Sequence, residues 1–333
     1  MRGLKNNRPD IGNMIRFATG MVMLAATLHG APNLTGELLH IAVDPLAATE
    51  KIKPVNSDMA IPLPRSLGAY ETLLATVSRT EPTAQPKIAP AARLAHPLRL
   101  MSFNIRMGCG HDDPFNLAQG SLGYLPACAE AIRSIKPDVV GIQEIDCKSK
   151  RAGFVDQTSE LAKLAGMEGA WVEKIPRYGI AVLFREKPLA VTKTLFPGKI
   201  HTRALQIVEF KDYIVANTHF PLSETTRTNA ARIVIEKLKG AAKPVFLMGD
   251  LNARPASETL RILKEDFVLL SGDCWPTWPA CAPKETIDYI FVDKAHAGQV
   301  NVRSHGVESF PDATDHCAVW VDLEPKDGAS KTR

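Results

Sequence analysis

The segment Pro244-Val245-Phe246-Leu247-Met248-Gly249-Asp250-Leu251-Asn252 decides how this chain is interpreted. Its apolar half predicts a buried strand. Gly249 is expected to break that strand and let the backbone turn. Asp250 and Asn252 would then lie on the loop at the carboxyl end of the strand, where α/β sheets place their chemistry. A carboxylate and an amide so placed can orient a water molecule and hold an oxyanion, although both are also ordinary turn residues.

Apolar runs and helical spacing predict a chain of alternating strands and helices. Predicted strands cover 98–104, 139–144, 179–184, 189–195, 204–210, 213–218, 244–248, 286–292 and 317–323. Helices are predicted over 122–134, near 158–164, over 227–238 and from Ser257 as the N-cap. Runs this apolar predict strands buried on both faces, so a layered sheet structure is required.

Polar side chains recur at the ends of these predicted strands, and loops at one edge of such a layer converge. They are Asn104, Glu144, His219, Asp250, Asn252, Asp288, Asp315 and His316. Oxygen ligands without a Cys/His cluster favour a hard cation, Mg²⁺ or Mn²⁺. Mg²⁺ typically takes one or two carboxylates and leaves other positions to water and phosphate. Glu144, with Asn104 and Asp315, matches that requirement.

Charge and composition bound the class of protein. The chain has 333 residues with a net charge of +4, enough for one large domain plus an extension, or for two domains. Mild basicity is compatible with an anionic substrate. The clustered Lys/Arg and interleaved aromatic residues of a dedicated nucleic-acid binder are not found in the sequence.

The N-terminal residues 1–31 have the pattern of a secretory signal. An apolar stretch over residues 17–28 is preceded by the basic residues Arg2, Lys5, Arg8 and Arg16. It is followed by the small residues Gly30 and Ala31. This order is typical of a signal peptide, and the stretch is too short for a comfortable membrane span. We expect export to the periplasm or the medium. An uncleaved N-terminal membrane anchor and an amphipathic helix are the alternatives, and Met14 is a possible start.

Composition divides the rest of the chain. Residues 32–97 are rich in Pro and Ala and are expected to form a low-order leader or linker. Regular organisation is predicted over residues 98–323, and residues 324–333 form a polar tail.

The six cysteines fit an exported protein. Cys274 and Cys281 flank a rigid Trp/Pro loop that a disulfide could close, and Cys109 and Cys147 follow two neighbouring candidate strand ends. The alternative is that most are free and buried as small apolar side chains. No CxxC or Cys/His pattern predicts structural zinc.

Six short motifs recur in a fixed order along the chain. They are Ser102-Phe103-Asn104-Ile105-Arg106, Ile142-Gln143-Glu144, Asn217-Thr218-His219-Phe220, Gly249-Asp250-Leu251-Asn252, Ile287-Asp288-Tyr289-Ile290 and Thr314-Asp315-His316. In this order they resemble the endonuclease/exonuclease/phosphatase superfamily of metal-dependent phosphoesterases, from about residue 98 to 323. That superfamily includes nucleases, inositol polyphosphate phosphatases, neutral sphingomyelinases and deadenylases. The resemblance implies an α/β fold, a four-layer α/β sandwich of two packed mixed β-sheets flanked by helices.

The resemblance also implies roles for the motif residues. Glu144 would bind the metal, with Asn104 and Asp315 nearby. Asp250 would accept a proton from the attacking water or orient it. Asn252 would donate a hydrogen bond to the phosphoryl oxygens as charge develops.

The two histidines would contact the same oxygens, as acid or electrostatic clamp. Asp288 would bind the far nitrogen of His316, fixing its tautomer and favouring the imidazolium, whereas His219 could instead be structural. Arg106 and Arg203 are weaker candidates for phosphate contacts. An ion pair between Arg106 and Glu144 is the alternative for those two side chains.

Two departures from the family pattern bear on the substrate. Ile180 stands where some nucleases have an assisting Asn, and Asp146 stands where some DNA-cleaving members have Arg. An acidic group near the phosphate path argues against tight binding of duplex DNA.

We therefore predict a Mg²⁺-dependent phosphoesterase acting on a phosphorylated small molecule or lipid headgroup. An exported endo- or exonuclease acting on nucleic acid is the close alternative, and an inactive binding module with the same fold is the alternative from another class. A monomer is expected, since no pattern indicates a protein partner.

Overall fold

The computed structural model describes residues 93–111, 123–197 and 203–326. The predicted signal over 1–31, the leader up to residue 92, the first residue of the predicted helix at 122, and residues 327–333 of the tail lie outside these ranges. Within them, no helix is long and apolar enough to cross a membrane.

Twelve strands and four α-helices make up the described residues. The strands are β1 (Leu98–Asn104), β2 (Val139–Asp146), β3 (Glu168–Ile175), β4 (Tyr178–Phe184), β5 (Ala190–Phe196), β6 (Arg203–Glu209), β7 (Ile214–His219), β8 (Val245–Asp250), β9 (Phe267–Leu269), β10 (Asp288–Asp293), β11 (Val300–Glu308) and β12 (Ala318–Pro325). The helices are α1 (Leu125–Ile135), α2 (Gln157–Ala165), α3 (Glu224–Leu238) and α4 (Glu258–Asp266).

The strands form two six-stranded sheets. The first has the order β11-β12-β1-β2-β4-β3 and the second the order β5-β6-β7-β8-β10-β9. Strand β1 runs parallel to β2 and β7 runs parallel to β8, while their other pairings are antiparallel. Both sheets are therefore mixed, as the family resemblance implies.

Three apolar clusters define the layers. Leu100, Val182, Phe246 and Ile290 belong to a buried cluster drawn from strands of both sheets. A second cluster joins the first sheet to α1 and α2, and a third joins the second sheet to α3 and α4. The order is helix, sheet, sheet, helix, so the predicted four-layer α/β sandwich is confirmed. Burial of strands on both faces accounts for their nearly continuous apolar sequences.

Side-chain caps set the start of three helices. Asp156 accepts hydrogen bonds from the backbone N–H groups of Thr158 and Ser159, and so begins α2. Ser223 caps α3 and Ser257 caps α4 in the same way. These contacts satisfy N–H groups that the first turn of a helix leaves unpaired. The predicted Ser257 N-cap is confirmed, whereas α3 begins before the predicted residue 227.

A hydrogen-bond network ties the two sheets together near their polar strand ends. Asn217 on β7 accepts from the Gln143 side chain on β2 at 2.8 Å. It also donates to the backbone oxygens of Ile142 at 3.0 Å and Ala181 at 2.9 Å. Because all of these groups are buried, each bond replaces water that folding has removed. The network fixes β2, which carries Glu144, against β7, which carries His219.

Gly249 does not break the strand, and the expected turn at this residue is wrong. Strand β8 continues through Gly249 to Asp250. A Cβ atom at Gly249 would lie 1.9 Å from the backbone oxygen of Thr218 on β7. Only glycine allows the two parallel strands to approach this closely. The resulting register places Asp250 directly beside His219 on one side and Asp288 on the other.

The six cysteines are all unpaired. Cys274 and Cys281 are both exposed and carry free thiols, so the disulfide considered for this loop is not present. Backbone hydrogen bonds hold the loop. The N–H groups of Thr277 and Trp278 donate to the oxygen of Glu285 at 2.7 and 3.0 Å. Cys128 and Cys317 are buried, in agreement with the alternative that they serve as small apolar side chains.

Candidate active site

The polar strand ends meet around a cavity of about 880 Å³. Its volume lies in the range of small-molecule sites. The charged and imidazole side chains that line it are Glu144, Arg203, His219, Glu224, Arg227, Asp250, Arg254, Glu258, Glu285 and His316. Leu222, Trp278 and Ile287 give part of the wall an apolar character. The cavity can therefore hold both an anionic group and an apolar or ring-containing part of a ligand.

Asp250 is at the centre of the site and is 2% exposed. Its Oδ1 accepts from the backbone N–H of Asn252 at 2.9 Å, and its Oδ2 accepts from Asn104 Nδ2 at 3.0 Å. The same Oδ2 lies 3.5 Å from His219 Nε2 and 3.8 Å from His316 Nε2. Burial, followed by the nearby Asp288 carboxylate, raises the pKa of Asp250. A fixed carboxylate of raised basicity can take a proton from water.

His316 is held by a buried carboxylate. Its Nδ1 lies 3.0 Å from Asp288 Oδ2, which also accepts from the Thr277 hydroxyl at 2.6 Å. Burial disfavours the charged ring, but Asp288 outweighs it and raises the pKa of His316 to about 10. The Asp288–His316 pair that the family resemblance implies is thus present, and it favours the imidazolium form of His316.

A bulge in β2 turns Glu144 toward the cavity. The register of β2 against β4 shifts between Ile142 and Ile145, and Glu144 has a left-handed φ of 56°. Bulges of this kind re-aim a side chain next to a functional site. The Glu144 side chain is 22% exposed, and its Oε1 lies 3.9 Å from His219 Nε2. It does not pair with Arg106, so the alternative proposed for it is wrong.

His219 has the opposite electrostatic character to His316. Burial, Lys174 and Arg203 lower the pKa of His219 well below its usual value. Its Nδ1 lies 3.3 Å from the Nζ of Lys174 on β3. Sequence reasoning missed Lys174, although its position two residues after the buried Val172 in an alternating segment would have placed both on one strand face.

Asn252 follows the strand end in a left-handed conformation, with φ 49°. Its side-chain Nδ2 donates to the backbone oxygen of Phe220 at 3.0 Å. That bond uses one of the two amide hydrogens, so the second is available toward the cavity that Asn252 lines.

The structure places Asp315 and Arg106 next to each other and not at the cavity wall. Arg106 Nε lies 3.6 Å from Asp315 Oδ2, which also accepts from Trp278 Nε1 at 3.3 Å. Arg106 Nη1 donates to the backbone oxygens of Gly110 and His111. Neither Arg106 nor Asp315 lines the cavity. In this structure the Arg106 guanidinium contacts protein groups. It does not reach the cavity, where a substrate phosphate is expected.

Arg203 does line the cavity, and so does Arg227. The Nε atoms of both guanidinium groups are buried and have no hydrogen-bond partner among the described residues. Unpaired buried donors of this kind are costly unless a ligand satisfies them. Both arginines are therefore suited to bind an anionic substrate group.

Asp146 has a different environment from the one expected. It is fully buried, and Arg151 donates to its two carboxylate oxygens at 2.6 and 2.7 Å. It does not line the cavity. Because this bidentate pair neutralises the carboxylate, Asp146 no longer supports the expectation that an acidic group disfavours duplex DNA.

The donor set fits a hard divalent cation. The ligand atoms of Asp250, Asp288 and His316 lie within 4.8 Å of one another and could hold a metal ion. The hydrogen bond between Asp288 Oδ2 and His316 Nδ1 leaves Asp288 Oδ1 and His316 Nε2 outside it. Glu144 lines the cavity and its side chain is 22% exposed, so its carboxylate is accessible to a cation. Asn104 Oδ1 accepts from the backbone of Arg106, which leaves it one lone pair. Oxygen donors of this type suit Mg²⁺ or Mn²⁺.

A model of the endonuclease/exonuclease/phosphatase family matches residues 101–316 of the chain. No curated protein gives a significant match.

Several solved structures match this chain, and their TM-scores are similar to one another. An endonuclease/exonuclease/phosphatase from Bacteroides vulgatus has 20% identity and a TM-score of 0.57, covering 69% of this chain and 99% of that one. A mannosyl-6-phosphatase from Bacteroides thetaiotaomicron has 16% identity and a TM-score of 0.56, covering 68% and 99%. The human Nocturnin catalytic domain with bound sulfate has 21% identity and a TM-score of 0.50, covering 69% and 95%. At these identities the likeness shows the fold.

Proposed function

The chain belongs to the endonuclease/exonuclease/phosphatase family, and from this premise we propose that it is a divalent-metal-dependent hydrolase of phosphate esters. The observation that carries the proposal is the position of Asp250. Its Oδ2 lies 3.5 Å from one imidazole and 3.8 Å from another on the cavity floor. A proton acceptor and two potential hydrogen-bond donors therefore surround the same small volume. That arrangement suits attack of water on a tetrahedral phosphoryl group.

Each side chain has a distinct part in the proposed reaction. Asp250 orients the attacking water and accepts its proton. His316, kept protonated by Asp288, donates to a phosphoryl or leaving-group oxygen. Asn252 donates its second amide hydrogen to the same group of oxygens as charge develops on them. When bound, with Glu144 and Asn104 as its ligands, a divalent cation would supply Lewis-acid stabilisation of phosphoryl charge.

For the substrate we propose a phosphate ester of a small molecule, with a sugar phosphate or a lipid headgroup as the class to test first. The cavity volume of about 880 Å³ and its mixed apolar and cationic lining support a compact ligand. One structural neighbour is a mannosyl-6-phosphatase. A nuclease is the second candidate, favoured by the neutralisation of Asp146 by Arg151, which removes an obstacle to nucleic acid. The intact polar set argues against an inactive binding module.

Turnover of generic phosphate esters tests the proposal. The purified protein is expected to hydrolyse bis-p-nitrophenyl phosphate or p-nitrophenyl phosphate with Mg²⁺ or Mn²⁺. A chelator should lower the rate, and added metal should restore it. The proposed metal-dependent hydrolase activity would be excluded if no ester were turned over, or if the chelator did not change the rate. A panel of mannose 6-phosphate, sphingomyelin, phosphoinositides, RNA and plasmid DNA would then separate the substrate classes.

Arg203→Gln is expected to weaken substrate binding more than catalysis. Because the buried Arg203 Nε has no internal partner, its guanidinium would bind the phosphate ester in ground state and transition state alike. Loss of such uniform binding raises KM, here about tenfold, while kcat stays within about twofold. Steady-state kinetics measure both constants. Arg303→Gln, at an exposed residue of β11, is the control and should change neither. An unchanged KM in Arg203→Gln would exclude this role.

A further inference from the structure

Arg227 lines the cavity at a position that is unfavourable for a cation. It is the fourth residue of α3, and the unpaired N–H groups of a first helical turn favour negative charge and disfavour positive charge. Its Nη1 donates to the backbone oxygen of Leu222, and its buried Nε has no hydrogen-bond partner among the described residues. No acidic side chain in the part of the chain that the structure describes forms an ion pair with it. Its placement is therefore costly unless an anionic group binds there.

The starts of two helices form the wall of the cavity around Arg227. Ser223 caps α3 and Ser257 caps α4. Glu224 Oε1 accepts from the backbone N–H of Glu258 at 3.2 Å, which holds the two helix starts side by side and places a carboxylate at the start of α4. The first residues of both helices line the cavity. The partial positive charges of two helix N-termini therefore lie at the same wall.

Other charged side chains of this wall are already paired within the protein. Arg254 Nη2 lies 2.6 Å from Glu285 Oε1. Glu258 accepts from the Arg261 guanidinium with both carboxylate oxygens, at 2.7 and 2.6 Å. These pairs leave the charge of Arg227 available to a ligand.

This wall is distinct from the position proposed for the phosphoryl group that is hydrolysed. That group is proposed to lie beside the imidazole of His219. Burial, Lys174 and Arg203 lower the pKa of His219, and Arg227 is not among the charges that do so. Arg227 instead holds the backbone of Leu222, whose side chain is 70% exposed. Arg203 is therefore the arginine near the reacting phosphoryl group, and Arg227 lies toward the exposed rim of the cavity.

We propose that Arg227 binds a second anionic group of the substrate, so that the substrate is a small phosphate ester with two anionic groups. This inference rests on the proposed phosphoesterase function and narrows its substrate class. A planar guanidinium with free donors matches the oxygens of a second phosphate. Leu222, Trp278 and Ile287 line the same cavity and suit a ring that joins the two anionic groups. Sugar bisphosphates and nucleoside bisphosphates share this chemistry.

Calorimetric binding to the full-length protein in metal-free buffer tests the inference without turnover. One pair of probes is fructose 6-phosphate and fructose 1,6-bisphosphate, and the other is thymidine 5′-phosphate and thymidine 3′,5′-bisphosphate. In at least one pair we expect the bisphosphate to bind about tenfold more tightly, the lower part of the range for a hydrogen bond between charged groups. The pair that shows this gain identifies the source of the second anionic group. Equal affinities within both pairs would overturn the inference, whether or not any variant folds.

Variants assign the gain to Arg227. Arg227→Gln should abolish the gain, and Arg227→Lys, which keeps the charge, should retain part of it. A general disturbance of the cavity lowers both affinities of a pair and leaves their ratio unchanged, so an unchanged ratio in Arg227→Gln would exclude the role. Arg232→Gln is the matched control, because Arg232 is an exposed arginine of the same helix; loss of the gain in this variant too would show a long-range effect of charge and contradict a direct contact. Failure of the proposed function would instead appear as absent turnover in the unmodified protein, with the affinity ratios still measurable.

Discussion

Asp250→Asn is expected to lower kcat/KM for bis-p-nitrophenyl phosphate by about 10³-fold or more, the upper part of the range for loss of a general base. The amide retains the size of the side chain and one oxygen but cannot accept the proton of the attacking water. His219 and His316 lie 3.5 and 3.8 Å from Asp250 Oδ2. The Nδ1 of His316 is already bonded to Asp288, which favours the charged ring, so His316 is a poor substitute for the base.

The same substitution should leave the fold intact. Because burial raises the pKa of Asp250, the ionised carboxylate is disfavoured in the folded state above that pKa. The amide removes this cost. It also loses one of the two bonds from Asn104 and the Asn252 backbone, since it has a single oxygen. These effects oppose each other, so the free energy of unfolding should change by no more than about 1 kcal/mol.

A matched control separates charge from chemistry. Asp312→Asn removes an exposed carboxylate from the loop that leads to His316 and is expected to leave both turnover and stability unchanged. Thermal unfolding of both variants, measured beside their kinetics, identifies a loss of activity that comes from misfolding. Near-native turnover in Asp250→Asn would show that another group activates the water.

The positions of polar side chains at the strand ends could be predicted from the sequence where these side chains follow long apolar strands. Such strands are buried on both faces and are conspicuous in the sequence. A carboxylate or imidazole at the end of such a strand, as in Glu144 and His219, is then easily recognised, because the residues before it are apolar. The pairing of Asp288 with His316 followed from the family resemblance, and the structure places these side chains 3.0 Å apart.

Residues whose environment depends on long-range contacts could not be predicted. In strand β3 partly buried and buried residues alternate and few are strongly apolar, so the strand gave a weak signal. With β3 missed, Lys174 was missed too. The position of Asp146 in the sequence suggested an acidic group near the phosphate path, and the ion pair that Arg151 forms with it could not be predicted. Strand β9 has only three residues, too few for a period to be recognised.

Gly249 shows the same limitation in the backbone. The sequence shows a glycine at this position, but it does not show why. Either a turn or a close contact between two strands would require glycine. Thr218 and Gly249 are adjacent in the register of β7 and β8. The distance between these two strands decides whether the turn or the close contact is the reason, and no local sequence pattern reveals that distance.

Gly249→Ala is expected to lower the free energy of unfolding by about 4 kcal/mol or more, in the range of the most disruptive single substitutions. The new Cβ would lie 1.9 Å from the Thr218 oxygen, and that atom is backbone, so no side-chain rotation relieves the clash. The φ of 149° at this residue is also one that side chains other than glycine rarely adopt. Strand β8 would have to move away from β7.

That movement should also affect the chemistry, because Gly249 directly precedes Asp250 in the register that places Asp250 beside His219. Urea unfolding measures the loss of stability, and turnover at a temperature where the variant is still folded measures the displacement of Asp250. Gly298→Ala is the matched control, since a Cβ there meets no atom within 4 Å. If Gly249→Ala unfolds at the same urea concentration as Gly298→Ala, the two strands can separate without cost. The close contact would then not be what requires glycine at the centre of this site.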